Sequence, residues 1–323
     1  MPIESNKTLW GIILAGGEGR RLQEFMLRLN GEGRPKQFCT ITGTRSMLRC
    51  TIDRAQLLIH PERILTVLTR HHMRYAQEQL ADRLSGTMVV QPSCRGTGVG
   101  LLLPLLTIQK RDPESIVAVL PADHFIIENQ RFMDHVDSAA EFVRADPSSL
   151  VLLGVNPDRA EDGYGWVERG PRVARSGTSI LHRVRQFWEK PGKKVAQRLR
   201  ANGCLWNTFV LVGHTATFLD LFRSMASEIF DPLVSLKETL DTAAEKQAVL
   251  DVFDRIPSSD FSRSILERIP ERLRVMELTG VYWSDWGEEH RILHDADRFN
   301  LSLNGRIPVQ APTPRGVFST AME

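Results

Sequence analysis

The chain is poor in the features that mark several large classes of protein. It has four cysteines in 323 residues, and no two of them form a Cys-x-x-Cys pair. That spacing argues against a structural zinc site and against a disulfide framework, and it fits a reducing compartment. The first residues show no signal-peptide core, and no apolar run is long enough to cross a membrane. We therefore expect a cytoplasmic protein with no membrane partner.

A strong excess of either charge is also missing. The 41 lysines and arginines nearly balance the 39 acidic residues, which leaves a formal net charge of +2. A general nucleic-acid surface needs a larger basic excess, so we expect no nucleic-acid partner. The basic residues occur in local clusters, and such clusters suit a small anionic ligand better than a polyanion.

The first half of the chain alternates short β-rich runs with amphipathic stretches. This alternation predicts a Rossmann-like α/β fold, with a mostly parallel mixed sheet flanked by helices on both faces. Ligands bind such sheets at the carboxyl ends of the strands. The predicted strands are 10–14, 64–68, 87–90, 116–120 and 150–154, and the predicted helices are 46–58, 72–84, 98–109 and 131–143.

After about residue 155 the pattern changes to that of a smaller α+β part. We predict one domain over 1–300, with a first part at about 8–155 and a second at about 156–300. Residues 301–323 contain three prolines and no periodic pattern, which predicts a poorly ordered tail. The second part is predicted to contain paired strands at 163–169 and 180–188, a helix at 195–200, a strand at 208–213, a long helix at 232–252 and a strand at 272–278.

A glycine-rich turn follows the first predicted strand, where WGIIL at 10–14 runs into AGGEGRRL at 15–22. A strand that ends in such a turn leaves backbone N–H groups open to phosphates, and glycine allows a close approach. RPKQF at 34–38 can add a lysine to the arginines of the turn. The glycine spacing fits neither a dinucleotide fingerprint nor a P-loop. By itself the turn leaves phosphate binding and an ordinary loop equally open.

These segments together resemble the signature of the sugar-1-phosphate nucleotidyltransferases, and PKQF at 35–38 is similar to the form found in mannose-1-phosphate guanylyltransferases. The resemblance covers roughly residues 10–290 and implies the nucleotide-diphospho-sugar transferase type of fold, with a nucleotide-binding first part and a sugar-binding second part. Its further motifs follow in order: QPSCRGT at 91–97, PADH at 121–124, GYGWVE at 163–168, WEKP at 188–191, WNT at 206–208 and WSDWG at 283–287.

The resemblance implies a Mg²⁺-dependent transfer from GTP to mannose 1-phosphate, giving GDP-mannose and pyrophosphate. Two alternatives stay open. One is the same reaction with another base or sugar, as in glucose-1-phosphate thymidylyl- or uridylyltransferases. The other is a non-catalytic regulatory subunit that binds a nucleotide sugar, although such a subunit has no need of two metal-binding carboxylates. A homodimer is a further expectation that the sequence does not specify.

The reacting groups of this transfer are all anionic, so catalysis depends on alignment and charge neutralisation. Asp123 and Asp285 match the family's metal-binding aspartates, and Mg²⁺ prefers such carboxylate oxygens. Ordinary turn residues are the structural alternative at both positions. Arg21 and Lys36 match the residues that clamp the triphosphate, and Lys190 matches the lysine that balances the sugar phosphate.

The resemblance also implies the residues that hold the nucleotide. Gln91 would read the base edge, and Gly96 would let the base approach the backbone, although relatives carry asparagine at that position. Arg20 stands where they carry threonine, and an exposed surface arginine is the alternative reading. The predicted nucleotide-binding residues are Leu14, Ala15, Gly16, Gly17, Gly19, Arg20, Gln91, Gly96 and Thr97.

On the sugar side the resemblance implies Gly165, Glu168, Glu189 and Asn207 as binding residues. Phe209 replaces a family glycine and is predicted to narrow the sugar pocket. The stretch between Leu22 and Pro35 is longer than the family pattern, which predicts an extended, mobile lid over residues 23–34.

Overall fold

The computed structural model of the chain describes residues 8–83, 86–176 and 179–304. Its strands are β1 (Leu9–Leu14), β2 (Ile64–Thr69), β3 (Met88–Gln91), β4 (Ile116–Pro121), β5 (Phe125–Ile126), β6 (Leu150–Val155), β7 (Gly165–Ser176), β8 (Ser179–Glu189), β9 (Leu205–His214), β10 (Leu273–Glu277) and β11 (Trp283–Ser284).

The α-helices are α1 (Gln23–Asn30), α2 (Met47–Ala55), α3 (Met73–Gln79), α4 (Gly96–Arg111), α5 (Asn129–Ala145), α6 (Lys193–Ala201), α7 (Thr215–Met225), α8 (Ser227–Val234), α9 (Glu245–Phe253), α10 (Phe261–Ser264) and α11 (Glu289–Arg298). Short 3-10 turns lie at Arg20–Leu22, Lys36–Phe38, Pro61–Arg63, Arg70–His72, Ser235–Glu238, Leu266–Arg268 and Pro270–Arg272. None of the described helices is both long and apolar enough to span a bilayer.

One nine-stranded sheet organises the molecule, in the order β3-β2-β1-β4-β9-β6-β10-β8-β7. Strands β1 to β4 pair with one another in parallel, as do β6 and β10, whereas the pairings of β7, β8 and β9 are antiparallel. Strands β5 and β11 form a separate two-stranded antiparallel sheet. The mixed nine-stranded sheet confirms the predicted fold class. Because β9 lies between β4 and β6, the two predicted parts of the domain contribute to one continuous sheet.

Both faces of the sheet are covered, which explains why its central strands read as unbroken apolar runs. Every residue of β2 and of β6 is buried. One face packs on a core that includes α4, α7 and α8, with Ile12 of β1 turned toward it. The other face packs on α2, α3, α5 and α6, with Ile13 turned toward it. The carboxyl ends of β1 and β4 are thereby held side by side.

The predicted lid over 23–34 is wrong for its first two thirds, because residues 23–30 form the packed helix α1. Phe25, Met26 and Leu29 are buried with Trp286 and Ile292 in a third, smaller core. Apolar residues three and four apart share one helix face, and that spacing was the signal for a helix. Gly31, with φ near +74°, ends the helix in the left-handed conformation that glycine accepts readily.

Two other predicted boundaries change. The single helix expected over 232–252 is divided between α8, a 3-10 turn and α9, with Asp241 in a left-handed conformation between them. A left-handed residue interrupts helical hydrogen bonding, so one helix cannot continue through it. The predicted tail begins too early, because Leu301 and Leu303 pack on the third core and the Asn304 amide donates to the Ile41 carbonyl. Residues 305–323 of that tail lie outside the described residues.

Candidate active site

The glycine turn, residues 15–19, is held from inside by the buried side chain of Gln37. Its Nε2 donates to the Ala15 carbonyl at 2.9 Å and to the Gly17 carbonyl at 2.6 Å, and Gln37 itself is only 3% exposed. The Ala15 amide donates to Val67 of β2. These hydrogen bonds satisfy the inner groups of the turn, so its outer backbone can face a ligand. They also give a structural role to the glutamine of the PKQF segment.

The outer side of the turn is open. Gly17 and Gly19 are exposed, and a Cβ added at Gly17 would have no atom within 4 Å. Gly19 has φ near +61°, and a Cβ added there would lie 3.3 Å from the main-chain nitrogen of Lys36. Leu14 and Gly16 are partly buried where β1 enters the turn. The predicted phosphate-binding backbone is thus accessible, and it lies directly beside the segment that carries Lys36.

The two arginines of the turn take different positions. Arg20 is exposed and pairs with Glu18, as in the surface alternative, with its Nε 2.8 Å from a carboxylate oxygen. Arg21 instead extends to the loop after β11. A Cβ added at Gly287 in that loop would lie 3.1 Å from Arg21 Nη2. A Cβ at that position would lie 2.6 Å from Asp285 Oδ2. The structure therefore brings Arg21, but not Arg20, to the second predicted metal-binding aspartate.

Lys36 joins the two predicted metal-binding aspartates, which lie more than 160 residues apart in sequence. Its side chain is 5% exposed, and Nζ lies 3.1 Å from Asp123 Oδ2. The same ammonium donates to the main-chain carbonyls of Asp285 and, at 3.1 Å, of Trp286. A charged hydrogen bond to each of two loops fixes their separation more firmly than neutral contacts would. Asp123 and Asp285 thus meet around one cation of the protein itself.

Asp285 is also the centre of a buried hydrogen-bonded group that we call the Arg291 network, made of Glu161, Tyr164, Asp285 and Arg291. The Arg291 guanidinium pairs with Asp285 and Glu161, and the Tyr164 hydroxyl donates to Asp285 Oδ1. Arg291 is 2% exposed, and its guanidinium also lies over the Tyr164 ring. This network fixes the orientation of the Asp285 carboxylate.

The ionisation of the network follows from its contacts. Burial acts to raise the pKa of Asp285, but the charges of Lys36 and Arg291 and the bonds from Tyr164 and Gly287 outweigh it, so the pKa is lowered. Burial lowers the pKa of the neighbouring His124 to about 4. A neutral His124 can accept the hydrogen bond from Trp283 Nε1 at 3.1 Å. Asp285 is therefore a carboxylate and His124 is uncharged near neutral pH.

The donor set suits a divalent cation of the magnesium type. Asp285 Oδ1 already accepts bonds from Tyr164, Arg291 and the Gly287 amide, which leaves Oδ2 for a cation. Asp123 is 39% exposed in its side chain, so its carboxylate is accessible. In the part of the chain that the structure describes, no three histidine, cysteine or acidic residues form a metal-binding group. Two carboxylates completed by phosphate oxygens and water are a usual magnesium environment.

The predicted base-reading residues are engaged within the protein. Gln91 is buried and its Nε2 donates to the Val99 carbonyl at 3.2 Å. Thr97 Oγ1 accepts the Phe261 amide, and the Gly98 amide donates to the Ser259 carbonyl. Gly96 has φ near +85°, and a Cβ there would lie 2.3 Å from the Ser259 oxygen. Glycine is thus required at this position by local packing, which accounts for the departure from asparagine.

Three of the predicted sugar-binding residues meet, and we call them the sugar-side cluster. A Cβ added at Gly165 would lie 3.1 Å from Glu189 Oε2 and 3.2 Å from Asn207 Cβ. Lys190 Nζ pairs with Glu189 Oε1 at 2.6 Å, so the predicted catalytic lysine joins the same group. The Glu189 amide donates to Glu267 Oε1 at 2.7 Å. Lys190 takes a left-handed φ near 49°.

Glu168 is the predicted sugar-binding residue that the structure does not bring to this cluster. Side chains alternate along a strand, and Glu168 is an odd number of residues from Gly165, so the two occupy opposite faces of β7. Glu168 lies opposite Gln186 in the ladder, whereas Gly165 lies opposite Glu189. Its Oε1 is 3.7 Å from Arg185 Nη1. The structure therefore does not bring the Glu168 side chain to the sugar-side cluster, and its role in sugar binding stays a prediction.

Phe209 has an unexpected backbone. Its φ is near 56°, in the left-handed region, and it lies in a β-bulge because Leu153 pairs with Val210 while Gly154 pairs with Asn207. Asn207 Oδ1 accepts the Phe209 amide at 3.2 Å. The half-buried ring lies edge-on to Phe261 at 6.4 Å. The family glycine suits this conformation, and phenylalanine adopts it at an energetic cost. Narrowing of a sugar pocket remains a prediction.

Several residues of the site had no assignment from the sequence. Tyr164 lies inside the GYGWVE segment and could have been noticed there. Glu161 and Arg291 carry no local signal, since Arg291 contacts both Glu161 and Tyr164 across more than 120 residues. The Ser259 carbonyl accepts the Gly98 amide, and Glu267 Oε1 accepts the Glu189 amide, so each residue contacts a motif that is far away in sequence. A single sequence without relatives shows none of these long-range contacts.

Comparison with known proteins agrees with this arrangement. A profile of the family described as nucleotidyl transferase matches residues 10–301. The mannose-1-phosphate guanylyltransferase ManC of Salmonella typhimurium is 29% identical over 285 residues, and the mannose-1-phosphate guanylyltransferase of Escherichia coli K12 is 28% identical over 285 residues. Each of these alignments covers 86% of this chain but 58% of the relative, so the chain spans less than two thirds of their length.

A solved structure extends the comparison to the fold. The crystal structure of a Thermus thermophilus protein described as a mannose-1-phosphate geranyltransferase superposes with a TM-score of 0.75 at 27% identity. The superposition covers 88% of this chain and 79% of that one. The family profile covers most of the chain, including the glycine turn, both aspartates and the sugar-side cluster. The chain therefore belongs to the nucleotidyl transferase family.

Proposed function

We propose that this protein transfers a guanylyl group from GTP to mannose 1-phosphate, forming GDP-mannose and releasing pyrophosphate, with Mg²⁺ as its cofactor. The observation that carries the proposal is the convergence of Lys36, Asp123 and Asp285 beside the exposed glycine turn. An anionic transfer needs positive charge and metal ligands at one point, and these residues supply both. The names of two relatives support the choice of mannose and guanine.

In the proposed reaction an oxygen of the sugar phosphate attacks the α-phosphorus of the triphosphate. The bond from that phosphorus to the bridging oxygen breaks, and pyrophosphate leaves with the electron pair. Asp123 and Asp285 would hold Mg²⁺, which when bound offsets phosphate charge. Lys36 and Arg21 neutralise the triphosphate, and the glycine turn offers its backbone N–H groups. Lys190 balances the sugar phosphate, while the carboxylate of Glu189 and the amide of Asn207 bind sugar hydroxyls.

A matrix of nucleoside triphosphates against sugar 1-phosphates, scored by pyrophosphate release, tests this proposal directly. We expect GTP with mannose 1-phosphate to be the best pair and activity to require added Mg²⁺. A stronger response with glucose 1-phosphate, or with the thymidine or uridine triphosphate, would replace the substrate assignment and keep the reaction class. Binding of GDP-mannose without pyrophosphate release from any pair would instead indicate a regulatory subunit.

The adjacent arginines provide a matched test of the phosphate clamp. Arg21→Ala should lower kcat/KM for GTP by roughly tenfold to a hundredfold, because a charged contact to phosphate is lost. Arg20→Ala removes the same charge one residue away and should change kcat/KM about threefold or less, since its partner is the exposed Glu18. Equal losses in the two variants would mean that net charge, and not the placement of Arg21, matters.

A further inference from the structure

A small cavity between α2 and α5 is lined by two arginines and by no acidic residue. Its volume is about 110 Å³. Helix α2 contributes Met47, Cys50 and Arg54, whose spacing of three and four residues places them on one face of the helix. Cys50 and Asn129 are exposed residues of the lining, so the cavity opens to solvent. We call this space the Arg54 cavity.

Arg54 is a buried cation that has no anionic partner among the described residues. It is 5% exposed, and its one hydrogen bond to a described residue runs from Nε to Asn129 Oδ1 at 2.7 Å. Burial lowers the pKa of its guanidinium to about 10, so the group stays charged near neutral pH. A buried charge without a counter-charge costs free energy, and a bound anion would remove much of that cost.

The unbonded end of the Arg54 guanidinium faces the cavity. Buried atoms without a partner elsewhere in the described chain, such as Arg83 Nε and Arg95 Nε, are fully enclosed, whereas Nη1 and Nη2 of Arg54 are not. The guanidinium lies over the Phe132 ring at 5.6 Å, and this contact and the bond to Asn129 hold it in place. Its two outer nitrogen atoms can therefore hold two oxygens of one anion in the bidentate manner that arginine favours.

The other charges of α2 and of the residue that precedes it by two are balanced. Arg45, the second arginine of the lining, pairs with Asp53 at 3.2 Å, and Arg49 pairs with Asp82 at 2.7 Å. Neither aspartate lines the cavity. The net positive charge beside the cavity therefore comes from Arg54.

The N-terminus of α5 adds to this positive potential. Asn129, which lines the cavity, is the first residue of this 17-residue helix. The helix has no side-chain cap and no acidic residue in its first turn. The preceding Glu128 uses its carboxylate to accept the Tyr282 amide instead. The positive end of the helix dipole thus lies at the same cavity as the Arg54 guanidinium.

We propose that the Arg54 cavity binds a small oxyanion of the phosphate type. Arg54 holds two of its oxygens, and the Thr42 hydroxyl and the Asn129 amide are further donors on the walls. The volume of 110 Å³ equals the room of about three or four water molecules, which suits one phosphate group and is too small for a nucleotide.

This site is separate from the proposed active site. None of Lys36, Asp123 and Asp285 lines the Arg54 cavity. Its wall is instead formed in part by His124 and Trp286, the residues that follow the two aspartates in sequence. Binding of an oxyanion here therefore does not depend on the proposed function, and the two proposals can fail independently.

The exposed thiol of Cys50 reports on the cavity directly, because Cys50 is part of its lining. Iodoacetamide carries no charge and alkylates accessible thiols, and peptide mass spectrometry gives the rate at each cysteine separately. We expect inorganic phosphate to slow the alkylation of Cys50 in a saturable manner. The rate at Cys94, the other exposed cysteine, should not change. Potassium chloride at equal ionic strength should not protect Cys50.

Arg54→Met and Arg49→Met form a matched pair on α2. Arg54→Met replaces the buried cation by an apolar chain and should raise the half-saturating phosphate concentration about tenfold or more. Arg49→Met removes the same charge, but Arg49 is bonded to Asp82 and does not line the cavity, so protection should be unchanged. Arg21→Ala alters the proposed triphosphate clamp and should also keep the protection. If Arg54→Met does not fold, Arg54→Lys, which keeps the charge but loses the fork of donors, should still weaken protection.

Mannose 1-phosphate, tested in parallel, distinguishes two sources of the same anionic group. Protection by phosphate alone would assign the site to the free ion. Protection by both would assign it to a phosphate group whose remaining part extends through the opening of the cavity. The proposal is overturned if phosphate gives no protection at millimolar concentrations, if chloride protects equally, if protection survives in the Arg54 variants, or if it is lost in Arg21→Ala.

Discussion

The glycine turn and the sugar-side strands differ in how their backbones are stabilised. In the turn, left-handed Gly19 needs no compensation, and Gln37 satisfies the inner carbonyls. On the sugar side, Lys190 and Phe209 are left-handed without being glycine, and a bulge separates Asn207 from Val210. The turn thus has glycine where its backbone is left-handed. The sugar-side strands instead hold two non-glycine residues in a left-handed backbone conformation that the surrounding structure must impose.

This contrast suggests where each region tolerates change. The glycine turn and the two aspartates near it, Asp123 and Asp285, each depend on a few groups that no neighbouring residue can replace. Single substitutions there should therefore have large effects. The sugar-side backbone is already strained, so replacement by glycine can relieve strain at the same time as it removes contacts.

The largest expected effect is at the two aspartates. Asp123→Asn and Asp285→Asn should each reduce kcat by roughly a hundredfold or more, since each removes a charged group beside the reacting phosphates. Asp285→Asn should also lower the free energy of unfolding, by roughly 3 kcal/mol, because it leaves the buried Arg291 with one fewer partner. Asp123→Asn should lower it by less, because Asp123 is 39% exposed in its side chain and Lys36 keeps its two carbonyl partners. Turnover assays at saturating Mg²⁺ and urea unfolding measure the two effects. Near-normal kcat in both variants would contradict the metal assignment.

Alanine should change the free energy of unfolding much more at Gly96 than at Gly17, although both glycines belong to predicted nucleotide-binding segments. Gly96→Ala should lower the free energy of unfolding by about 2–4 kcal/mol, because the new Cβ meets Ser259 and φ is positive. Gly17→Ala has open space and should change that free energy by less than about 1 kcal/mol. Its effect should appear as weaker GTP binding. Chemical denaturation and calorimetric titration separate the two, and equal stability losses would refute the packing argument.

Phe209 tests whether the sugar-side backbone is strained. Phe209→Gly and Phe209→Ala both remove the ring and its contact with Phe261, but only glycine relieves the left-handed φ. The glycine variant should therefore be more stable than the alanine variant by about 1 kcal/mol, as measured by urea unfolding. If the ring narrows the sugar pocket, both variants should accept mannose and glucose 1-phosphates more evenly. Equal stabilities of the two variants would show that the bulge carries no strain at Phe209.

The smallest effect concerns His72, which packs beneath the glycine turn against Phe38. Burial and then the neighbouring His71 lower the pKa of His72 below its ordinary value of 6.5. The unfolded chain therefore takes up a proton first, and stability should fall as pH drops below about 6.5. His72→Phe should reduce this slope. The slope is obtained from unfolding free energies measured between about pH 5 and pH 8, which spans the ordinary histidine pKa. An unchanged slope in His72→Phe would contradict the lowered pKa of His72.

The sequence by itself determined the alternation of strands and helices, the glycine turn and the order of the motifs. These depend on local rules, because a 2-residue or 3.6-residue period and the freedom of glycine are visible within a short window. The same rules also indicate α1, since its buried residues have helical spacing, although comparison with a family pattern suggested a lid there. The position of β9 between β4 and β6 needed the whole sheet.

Only the tertiary structure decided which residues meet. Lys36 bridges two loops that lie as many as 250 residues away from it. The Arg291 network forms around Asp285 through contacts that span more than 120 residues. Ser259 likewise lies beside Gly96 although the two are far apart in sequence. The opposite faces of Glu168 and Glu189 depend on the register of β7 and β8, and the left-handed Phe209 depends on a bulge against β6. Strand register and long-range packing are set by the total burial of the core, which no local stretch of sequence contains.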